Sequence, residues 1–236
     1  MNVYDEASFF TSYASMERSR GLEWAGEWPT LEPLLAGIHG GRVLDLGCGY
    51  GWHADYLSRR GCKVTALDSS HSMLEEARRR FPSIDFRCQD ILDYDYPEDE
   101  YDLVFSNLAF HYIEDLEGLF RRIHRTLRKG GRLVFTIEHP TFTAGVRQEA
   151  RNDGEGIFWP VRGYFHCGAR RTVFLGHEVV KEHHTMEDLV MGPIGLGFRL
   201  EELREVRPTA QWLAEHPGQE VELERPMMLI LSFRKE

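Results

Sequence analysis

Three alternate glycines, Gly47, Gly49 and Gly51, follow the first apolar run of the sequence, in the segment 43–51 (VLDLGCGYG). Glycine adopts positive φ angles and lets a ligand approach the backbone closely, so a strand that runs into such a loop and then a helix favours a nucleotide site. Asp68 ends the next apolar run, about 20 residues on, where a carboxylate can accept hydrogen bonds from both ribose hydroxyls. The other role open to Asp68 is to cap the helix that follows. The pattern therefore predicts a cofactor that contains a ribose.

The glycine spacing and one further acid distinguish two classes of cofactor. Dinucleotide sites place a pyrophosphate on the helix N-terminus and favour G-x-G-x-x-G, whereas the third glycine here comes one residue earlier. Asp45 precedes the loop, and a carboxylate is a poor neighbour for a pyrophosphate but suits an ammonium or sulfonium group. The residues therefore favour a positively charged cofactor, and an NAD-dependent oxidoreductase remains the alternative.

The elements that would hold these residues alternate between strand and helix signals. Short apolar runs predict strands, and segments with apolar residues at helical spacing predict helices. The predicted strands are 42–46, 62–67, 84–88, 101–106 and 133–137, and the predicted helices are 50–60, 70–81 and 115–127. Ser72 and Glu75 have the spacing of a capping box in the second helix. The alternation predicts a doubly wound α/β fold, with helices on both faces of a parallel sheet.

Two regions interrupt this alternation and divide the chain into four parts. Residues 1–41 hold six aromatic side chains, and we expect an N-terminal helical lid there, before the core at 42–138. Residues 139–184 hold five histidines without helical spacing, which predicts an insertion after strand 5 that caps the substrate side at the carboxyl edge of the sheet. Residues 185–236 contain two further strand candidates, 198–206 and 226–234, which would complete the core sheet.

The composition limits the partners of the chain. Its 236 residues are 42% hydrophobic and 28% charged, which is typical of a soluble globular protein, and no run approaches the roughly 20 apolar residues of a membrane span. The N-terminus lacks the pattern of a signal peptide, so we expect a cytoplasmic location. A net charge of −10 disfavours a nucleic-acid partner. The four cysteines form no C-x-x-C pair and the histidines lack metal-site spacing, so we expect no metal.

The ordered motifs of the core resemble those of the class I S-adenosylmethionine (SAM)-dependent methyltransferases, within the type 11 superfamily. The matching segments are 43–51 (motif I), 66–70 (ALDSS, with the ribose-binding acid), 73–77 (MLEEA), 88–91 (CQDI, at the adenine), 101–111 (motif IV, beside the methionine part) and 127–131 (LRKGG). The resemblance implies a Rossmann-like seven-stranded sheet, mostly parallel, whose last strand at 226–234 is antiparallel. It also implies SAM as the cofactor and S-adenosylhomocysteine as its product.

The resemblance assigns cofactor contacts to residues of these motifs and to one tyrosine of the lid. They are Tyr13, Asp45, Gly47, Cys48, Gly49, Asp68, Ser69, Met73, Asp90, Ile91, Ser106, Asn107 and His111. Tyr13 would close over the cofactor, and its alternative role is that of a core aromatic of the lid. The other residues would line the carboxyl edge of the sheet.

The chemistry of methyl transfer makes modest demands on the protein. It is an in-line displacement in which the cofactor carries the leaving group, so the protein mainly positions and desolvates the reactants. A hydroxyl or protonated amine also needs a general base, and His111 at the end of motif IV is the first candidate, because a neutral imidazole suits that task. Its alternative role is to orient the reactants without proton transfer. His139, after the fifth strand, is the second candidate.

The acceptor is the least determined part of the prediction. Residues 138–185 resemble a bacterial subgroup whose substrates are mostly unassigned, and Glu138, Tyr164 and His183 are the candidate acceptor contacts. The subgroup has an uninterrupted helix after this region, whereas Gly192 and Pro193 should break it here. The predicted function is methyl transfer to a small molecule by a monomer or homodimer. The alternatives are a SAM-binding protein without turnover and a methyltransferase of RNA or protein, although residues 106–109 (SNLA) lack the prolines of RNA-modifying N-P-P-[YF] motifs.

Overall fold

The computed structural model describes residues 2–236 and gathers seven strands into one sheet. Numbered along the chain, the strands are β1 (Arg42–Leu46), β2 (Lys63–Asp68), β3 (Asp85–Cys88), β4 (Tyr101–Asn107), β5 (Leu127–Glu138), β6 (Arg151–Asn152), β7 (Ile157–Phe158), β8 (Gly168–Phe174), β9 (His177–His183), β10 (Phe198–Glu205) and β11 (Met228–Lys235). The order across the sheet is β10-β11-β5-β4-β1-β2-β3. Neighbouring strands are parallel, except that β11 runs antiparallel to both β5 and β10. This confirms the predicted α/β fold with its antiparallel last strand.

Helices cover both faces of this sheet. They are α1 (Ala7–Ala14), α2 (Trp28–Ala36), α3 (Trp52–Arg59), α4 (His71–Arg80), α5 (Leu116–Thr126), α6 (Pro140–Thr143), α7 (Met186–Gly195) and α8 (Ala210–Glu215). Val43 of β1 packs in one core cluster with side chains of α2, α3 and α4, whereas Leu44 and Leu46 pack in the other with α5 and α7. Successive side chains of a strand point to opposite faces, so the same strands contribute to both clusters.

The helix α4 begins two residues before the predicted capping box. Its N-cap is Ser70, whose hydroxyl accepts a hydrogen bond from the backbone N–H of Met73 at 3.2 Å. Ser72 already lies in the first turn, where its backbone N–H donates to the carboxylate of Asp5 at 3.0 Å. The prediction of a cap at Ser72 was therefore wrong, because an acid from the N-terminal segment satisfies that donor.

The fifth strand begins earlier than its apolar run suggests. Leu127 already pairs with Tyr101 of β4, and the register then shifts before Arg132 pairs with Leu103. Gly130 has a φ of +77° within this stretch. Residues 128–132, which lie between the predicted helix and the predicted strand, therefore form an irregular first part of β5.

The helix α7 continues through Gly192 and Pro193, so the expected break does not occur. Pro193 lies in the last turn, where the missing N–H removes a single bond to the carbonyl of Leu189. The other end of the helix is firmly held, because Thr185 and Asp188 form a reciprocal capping box. A proline this close to the end of a helix leaves too little helix beyond it to be broken.

The insertion after β5 contains more regular structure than its sequence suggested. The strands β8 and β9 form an antiparallel hairpin in which Phe174 pairs with His177. Leu175 and Gly176 connect them with φ angles of +54° and +81°, as in a two-residue type I′ turn. The short strands β6 and β7 form a second pair within the insertion.

The N-terminal segment is attached to the carboxyl edge of the sheet. The carboxylate of Asp5 accepts hydrogen bonds from the hydroxyl of Ser70 and from the start of α4, and the hydroxyl of Tyr4 lies 3.1 Å from that of Tyr112. The division of the chain into lid, core, insertion and C-terminal part remains a prediction. Within residues 2–236, no helix combines the length and the apolar character that crossing a membrane requires.

Candidate active site

A cavity of about 980 Å³ lies at the carboxyl ends of four neighbouring parallel strands. Gly47, Asp68, Asn107 and Glu138 line it, and each stands at or just beyond the end of β1, β2, β4 or β5. Its other walls come from the N-terminal segment and from the hairpin β8–β9. Because β1 lies between β2 and β4, the cavity straddles the point at which the strand order reverses, where doubly wound sheets bind their ligands.

The three glycines of the loop after β1 serve different purposes. All three have positive φ angles, between +52° and +79°. A Cβ on Gly47 would lie 2.4 Å from the Cβ of Ala109, and one on Gly51 would lie 2.6 Å from the ring of Phe86. A Cβ on Gly49 would meet no described atom within 4 Å, although Gly49 lines the cavity. Gly47 and Gly51 therefore permit close packing, whereas Gly49 leaves free space at the wall of the cavity.

Asp68 joins the glycine loop to the start of α4. One of its carboxylate oxygens accepts a hydrogen bond from the backbone N–H of Gly49 at 2.8 Å, and the other accepts from Ser70 at 2.9 Å. A carboxylate has about four acceptor positions, so two remain for a ligand in the cavity. Burial, the largest influence, raises the pKa of Asp68. The helix cap itself is Ser70, and ribose binding by Asp68 remains a prediction.

Asp45 lies behind the glycine loop rather than in the cavity wall. Its side chain is buried, and its Oδ2 has no hydrogen-bond partner among the described residues. Burial raises the pKa of this carboxyl to about 8, with a smaller contribution from the charge of Asp68. At neutral pH the carboxyl of Asp45 is therefore mostly protonated in the protein as described.

Most of the predicted cofactor residues come together in the cavity wall. Those that line it are Tyr13, Gly47, Cys48, Gly49, Asp68, Ser69, Met73, Asp90, Ile91, Asn107 and His111. Asp45 and Ser106 do not. The hydroxyl of Ser106 donates to the carbonyl of Leu46 at 2.7 Å and so connects β4 with β1. Direct contact of these two residues with a cofactor has no support from their positions.

An ion pair between a half-buried arginine and a buried glutamate at the cavity was not foreseen from the sequence. Arg18 lines the cavity and forms a salt bridge with Glu27, which is 1% exposed. The same Glu27 oxygen accepts a hydrogen bond from the side-chain amide of Asn107 at 2.9 Å. The attraction of Arg18 and the bond from Asn107 outweigh the effect of burial and lower the pKa of Glu27. No motif marks Arg18 or Glu27, because the pair joins two irregular parts of the N-terminal segment.

Unpartnered polar atoms at the cavity suit a ligand rich in hydrogen-bonding groups. Within the described chain, Oδ1 of Asn107, Nε2 of His53 and Nδ1 of His111 are buried without a partner, and all three residues line the cavity. Buried polar atoms rarely remain unpaired unless a ligand or water meets them. Together with the open face of Gly49 and the carboxylate of Asp68, they fit the cofactor that the sequence motifs imply. His53 was missed from the sequence because it lies beyond the motif, on α3.

His111 has the properties of a neutral proton acceptor. Its side chain is 4% exposed, and its ring lies 4.5 Å from that of Tyr112. Burial lowers the pKa of His111 to about 4, while the charge of Glu138 opposes this shift and that of Lys181 adds to it. The imidazole is therefore uncharged at neutral pH and could accept a proton or a hydrogen bond from a ligand.

A second ion pair, between a buried lysine and a half-buried glutamate, lies on the side of the cavity that the insertion forms. Lys181 of β9 is 3% exposed and forms a salt bridge with Glu138 at the end of β5. The other oxygen of Glu138 accepts a hydrogen bond from the side chain of Gln148 at 3.0 Å, and the ammonium of Lys181 lies 5.1 Å from the ring of Phe174. Glu138, Gln148, Phe174 and Lys181 all line the cavity. The sequence had indicated only Glu138 among them.

His139 is engaged outside the cavity. Its Nδ1 accepts a hydrogen bond from the backbone N–H of Thr141 at 3.1 Å and so caps the short helix α6. Its Nε2 lies 3.2 Å from the carboxylate of Glu205 on β10, outside hydrogen-bond geometry. This position gives no support to His139 as a second candidate base.

Tyr164 and His183 also lie outside the cavity wall, and they hold the insertion together. His183 is fully buried, with Nδ1 2.6 Å from the hydroxyl of Thr143 and Nε2 2.8 Å from the carbonyl of Tyr164. The hydroxyl of Tyr164 accepts a hydrogen bond from the backbone N–H of Met186 at 3.0 Å. Their proposed contact with an acceptor is therefore unsupported. Among residues 2–236, no three His, Cys, Asp or Glu side chains are grouped so that they could hold a metal ion.

Comparison with known proteins shows that the chain is similar to methyltransferases. A family model described as the methyltransferase domain matches residues 44–135, which run from β1 into β5. The crystal structure of an S-adenosylmethionine-dependent methyltransferase from Mesorhizobium loti is 39% identical, with a TM-score of 0.85, and the match covers 91% of this chain and 100% of that one. The similarity therefore includes the core sheet and most of the segments around it.

Two further relatives differ in how much of the chain they match. An uncharacterized protein of Haemophilus influenzae is 30% identical over 254 residues, which cover 100% of this chain and 97% of its own length. A malonyl-[acyl-carrier protein] O-methyltransferase of Enterobacter lignolyticus is 43% identical over 95 residues, only 40% of this chain and 38% of its own. The second similarity is thus limited to a part of each protein.

Proposed function

Because the chain belongs to the class I S-adenosylmethionine-dependent methyltransferases, we propose that it methylates a small molecule held beside the hairpin β8–β9. The chain is an enzyme of this family, and its cofactor is SAM. SAM supplies a methyl group on a sulfonium centre, which an acceptor atom attacks in line. The family establishes the cofactor, whereas the proposed class of acceptor is inferred from the cavity of this chain.

The observation that carries the small-molecule proposal is the wall that the insertion adds to the cavity. Phe142, Phe174 and Val179 of the insertion line the same cavity as the glycine loop. A volume of about 980 Å³ is at the upper end of the range of small-molecule pockets, roughly 300–1,000 Å³. It offers room for two small molecules side by side. The net charge of −10 disfavours RNA as the acceptor.

Different residues of the cavity would contact different parts of SAM. Asp68 would accept from the ribose hydroxyls, and Asp90 with Ile91 would border the adenine. Arg18 would attract the carboxylate of the methionine part, since it is a cation at the cavity wall. Asn107 would offer its unpartnered Oδ1 to the ammonium group.

On the acceptor side, His111 would take up the proton that an attacking hydroxyl or ammonium group must lose. Its Nδ1 has no hydrogen-bond partner among the described residues, and burial keeps the ring neutral, so the imidazole has the capacity to accept a proton. An acceptor that attacks as a neutral amine, phenolate or carbanion would need only orientation from the same ring. Glu138 and Lys181 neutralise each other beside this position and so fix the polar wall of the acceptor side.

The experiment that tests this proposal follows the methyl label. The purified protein is titrated with SAM, S-adenosylhomocysteine and NAD in a calorimeter, and then incubated with methyl-labelled SAM and a cell extract. We expect binding of SAM and S-adenosylhomocysteine but not NAD, and transfer of the label to the small-molecule fraction. Label in the RNA or protein fraction would contradict the proposal. Tight binding with no label in any fraction would favour the alternative, a SAM-binding protein without turnover.

A further inference from the structure

A second, smaller pocket adjoins the main cavity inside the insertion. Its volume is about 180 Å³, and it shares Arg147, Gln148 and Lys181 with the cavity. Five of its lining residues are basic, and none is acidic: Arg147, Arg162, Arg170, Arg171 and Lys181. In a chain with a net charge of −10, such a group of cations around one small space is unexpected.

Two of the five cations are neutralised by acids that do not line the pocket. Lys181 forms its salt bridge with Glu138, as described above. Arg171 pairs with Glu178 across the hairpin at 2.6 Å, where both side chains are exposed. Each of these two pairs has no net charge, so the net charge of the pocket lining comes from the other three arginines.

The remaining three guanidinium groups have no carboxylate partner within residues 2–236. Arg170 donates hydrogen bonds to main-chain carbonyls, including that of Gly163 at 3.2 Å and that of His166. These bonds hold its guanidinium in place without cancelling its charge. The side chains of Arg147 and Arg162 make no hydrogen bond or ion pair with any residue that the structure describes. The pocket therefore carries three uncompensated positive charges.

The backbone that presents these arginines is fixed by specific contacts. The carbonyl of Arg147 accepts a hydrogen bond from the hydroxyl of Thr172 on β8 at 3.1 Å. The backbone N–H of Arg162 donates to the carbonyl of Ala144 at 2.9 Å. The cations thus come from three separate parts of the insertion that converge before any ligand is bound.

We propose that the methyl acceptor carries a carboxylate or phosphate group and that Arg147, Arg162 and Arg170 bind this group in the smaller pocket. The guanidinium fork matches the oxygen atoms of both groups and can bind them through paired hydrogen bonds. Because Arg147, Gln148 and Lys181 line both spaces, a group bound in the smaller pocket would lie next to the cavity that contains His111. This inference rests on the proposed function and names the chemical class of its acceptor.

The test uses simple anions as probes and a charge-matched control. Melting temperature is measured at constant ionic strength while sodium phosphate, or sodium succinate, replaces sodium chloride. The pocket variant is Arg147→Gln/Arg162→Gln, and the control is Arg87→Gln/Arg121→Gln, which removes two exposed arginines that line neither space. Phosphate also stabilises proteins without binding, so the readout is the difference between variants.

We expect phosphate or succinate to raise the melting temperature of the wild type and of the control by about 2–4 °C more than that of the pocket variant. The dissociation constant of the anion should be at least tenfold larger in the pocket variant. Equal responses of all three proteins would overturn the inference. If the double variant does not fold, Arg162→Gln alone takes its place, because this exposed side chain has no partner among the described residues.

Calorimetric titration with SAM on the same proteins separates this inference from the proposed function. Equal SAM affinity, with the anion response lost only in the pocket variant, supports both. Failure of all three to bind SAM would contradict the cofactor assignments of the proposed function, while the anion comparison would still decide the pocket. An identified acceptor that lacks any anionic group would overturn the inference and leave the proposed function standing.

Discussion

The carboxylate of Asp68 accepts a hydrogen bond from the backbone N–H of Gly49 at 2.8 Å, and this contact ties the end of β2 to the loop after β1. A single side chain therefore shapes the glycine loop and also faces the cavity. Its removal should affect ligand binding in two ways, by losing an acceptor and by loosening the loop.

We expect Asp68→Ala to weaken SAM binding by more than tenfold, about 1.4 kcal/mol, because both contributions are lost. Calorimetric titration measures the change. The control is Asp85→Ala, which removes an acid from the exposed edge of the sheet, where it pairs with Arg87. An unchanged SAM dissociation constant in Asp68→Ala would contradict the assignment to the ribose.

Gly47→Ala should mainly lower the stability of the protein, whereas Gly49→Ala should mainly weaken SAM binding. Each places a side chain at a positive φ, which costs about 1–2 kcal/mol. Only Gly47→Ala adds a clash, with Ala109 at 2.4 Å, so its free energy of unfolding in urea should fall further. Gly49→Ala should keep more stability but bind SAM at least tenfold more weakly, since its methyl group would enter free space at the cavity wall. Wild-type SAM affinity in Gly49→Ala would count against this account of the loop.

His111→Ala should preserve SAM affinity within about threefold and lower turnover by about 10²-fold or more if the ring accepts a proton. The neutral form of His111 is lost as the pH falls toward its pKa of about 4. The rate that depends on it should therefore be level above about pH 6 and decline at lower pH. His139→Ala is the comparison, because its ring caps α6 outside the cavity. Full turnover in His111→Ala would exclude it as the base.

Lys181→Met should destabilise the protein by about 1–3 kcal/mol, because it leaves the half-buried carboxylate of Glu138 without its charged partner. The double variant Glu138→Gln/Lys181→Met removes both charges and should recover much of that loss. Urea unfolding of the two variants and the wild type measures both effects. Equal instability of the single and double variants would show that packing on Phe174, rather than charge, determines the role of Lys181.

Asp45 should give the stability of the ligand-free protein a distinctive pH dependence. Its pKa is raised to about 8, from an unfolded value of about 3.9. Its contribution to stability is therefore full at low pH and is lost as the pH rises toward 8. The wild type should lose stability relative to Asp45→Asn by up to about 1.4 kcal/mol per pH unit between pH 5 and 8. Burial lowers the pKa of both His53 and His111 to about 4, which makes stability rise with pH, but this effect is common to both proteins. Parallel stability curves of the wild type and Asp45→Asn would therefore contradict the prediction.

The core could be predicted from the sequence because its signals are local. Strands buried on both faces are rich in apolar residues, as 43–46 of β1 and 103–105 of β4 are, and the glycines of the loop after β1 follow one another directly in the sequence. The walls of the cavity could not be predicted in the same way. The hairpin β8–β9 carries Arg170, Arg171, Lys181 and Glu182 among its apolar residues, which obscures the alternation of a strand. The contact of Glu27 with Asn107 depends on two segments that meet only in the folded protein.

The roles of the histidines could not be distinguished from the sequence for a related reason. A histidine near a strand end can serve as a ligand contact or as a structural hydrogen-bonding group, and its residue type does not distinguish the two roles. His111 faces the cavity, whereas His139 caps a helix and His183 joins two parts of the insertion. Only the hydrogen-bond partners of each histidine in the folded protein distinguish the two roles.

The contacts that close the cavity also determine when it can form. Asp5 with Ser70, Glu27 with Asn107, and Glu138 with Lys181 join residues that are 65, 80 and 43 positions apart. Each contact is a single pair of side chains, whereas the strands of the sheet are joined by backbone hydrogen bonds and two buried core clusters, so we expect these walls to separate from the sheet first under mild denaturant. A preparation can then retain the circular dichroism of an intact sheet and have no binding site, and recovery of ligand binding is a stricter measure of refolding than recovery of secondary structure.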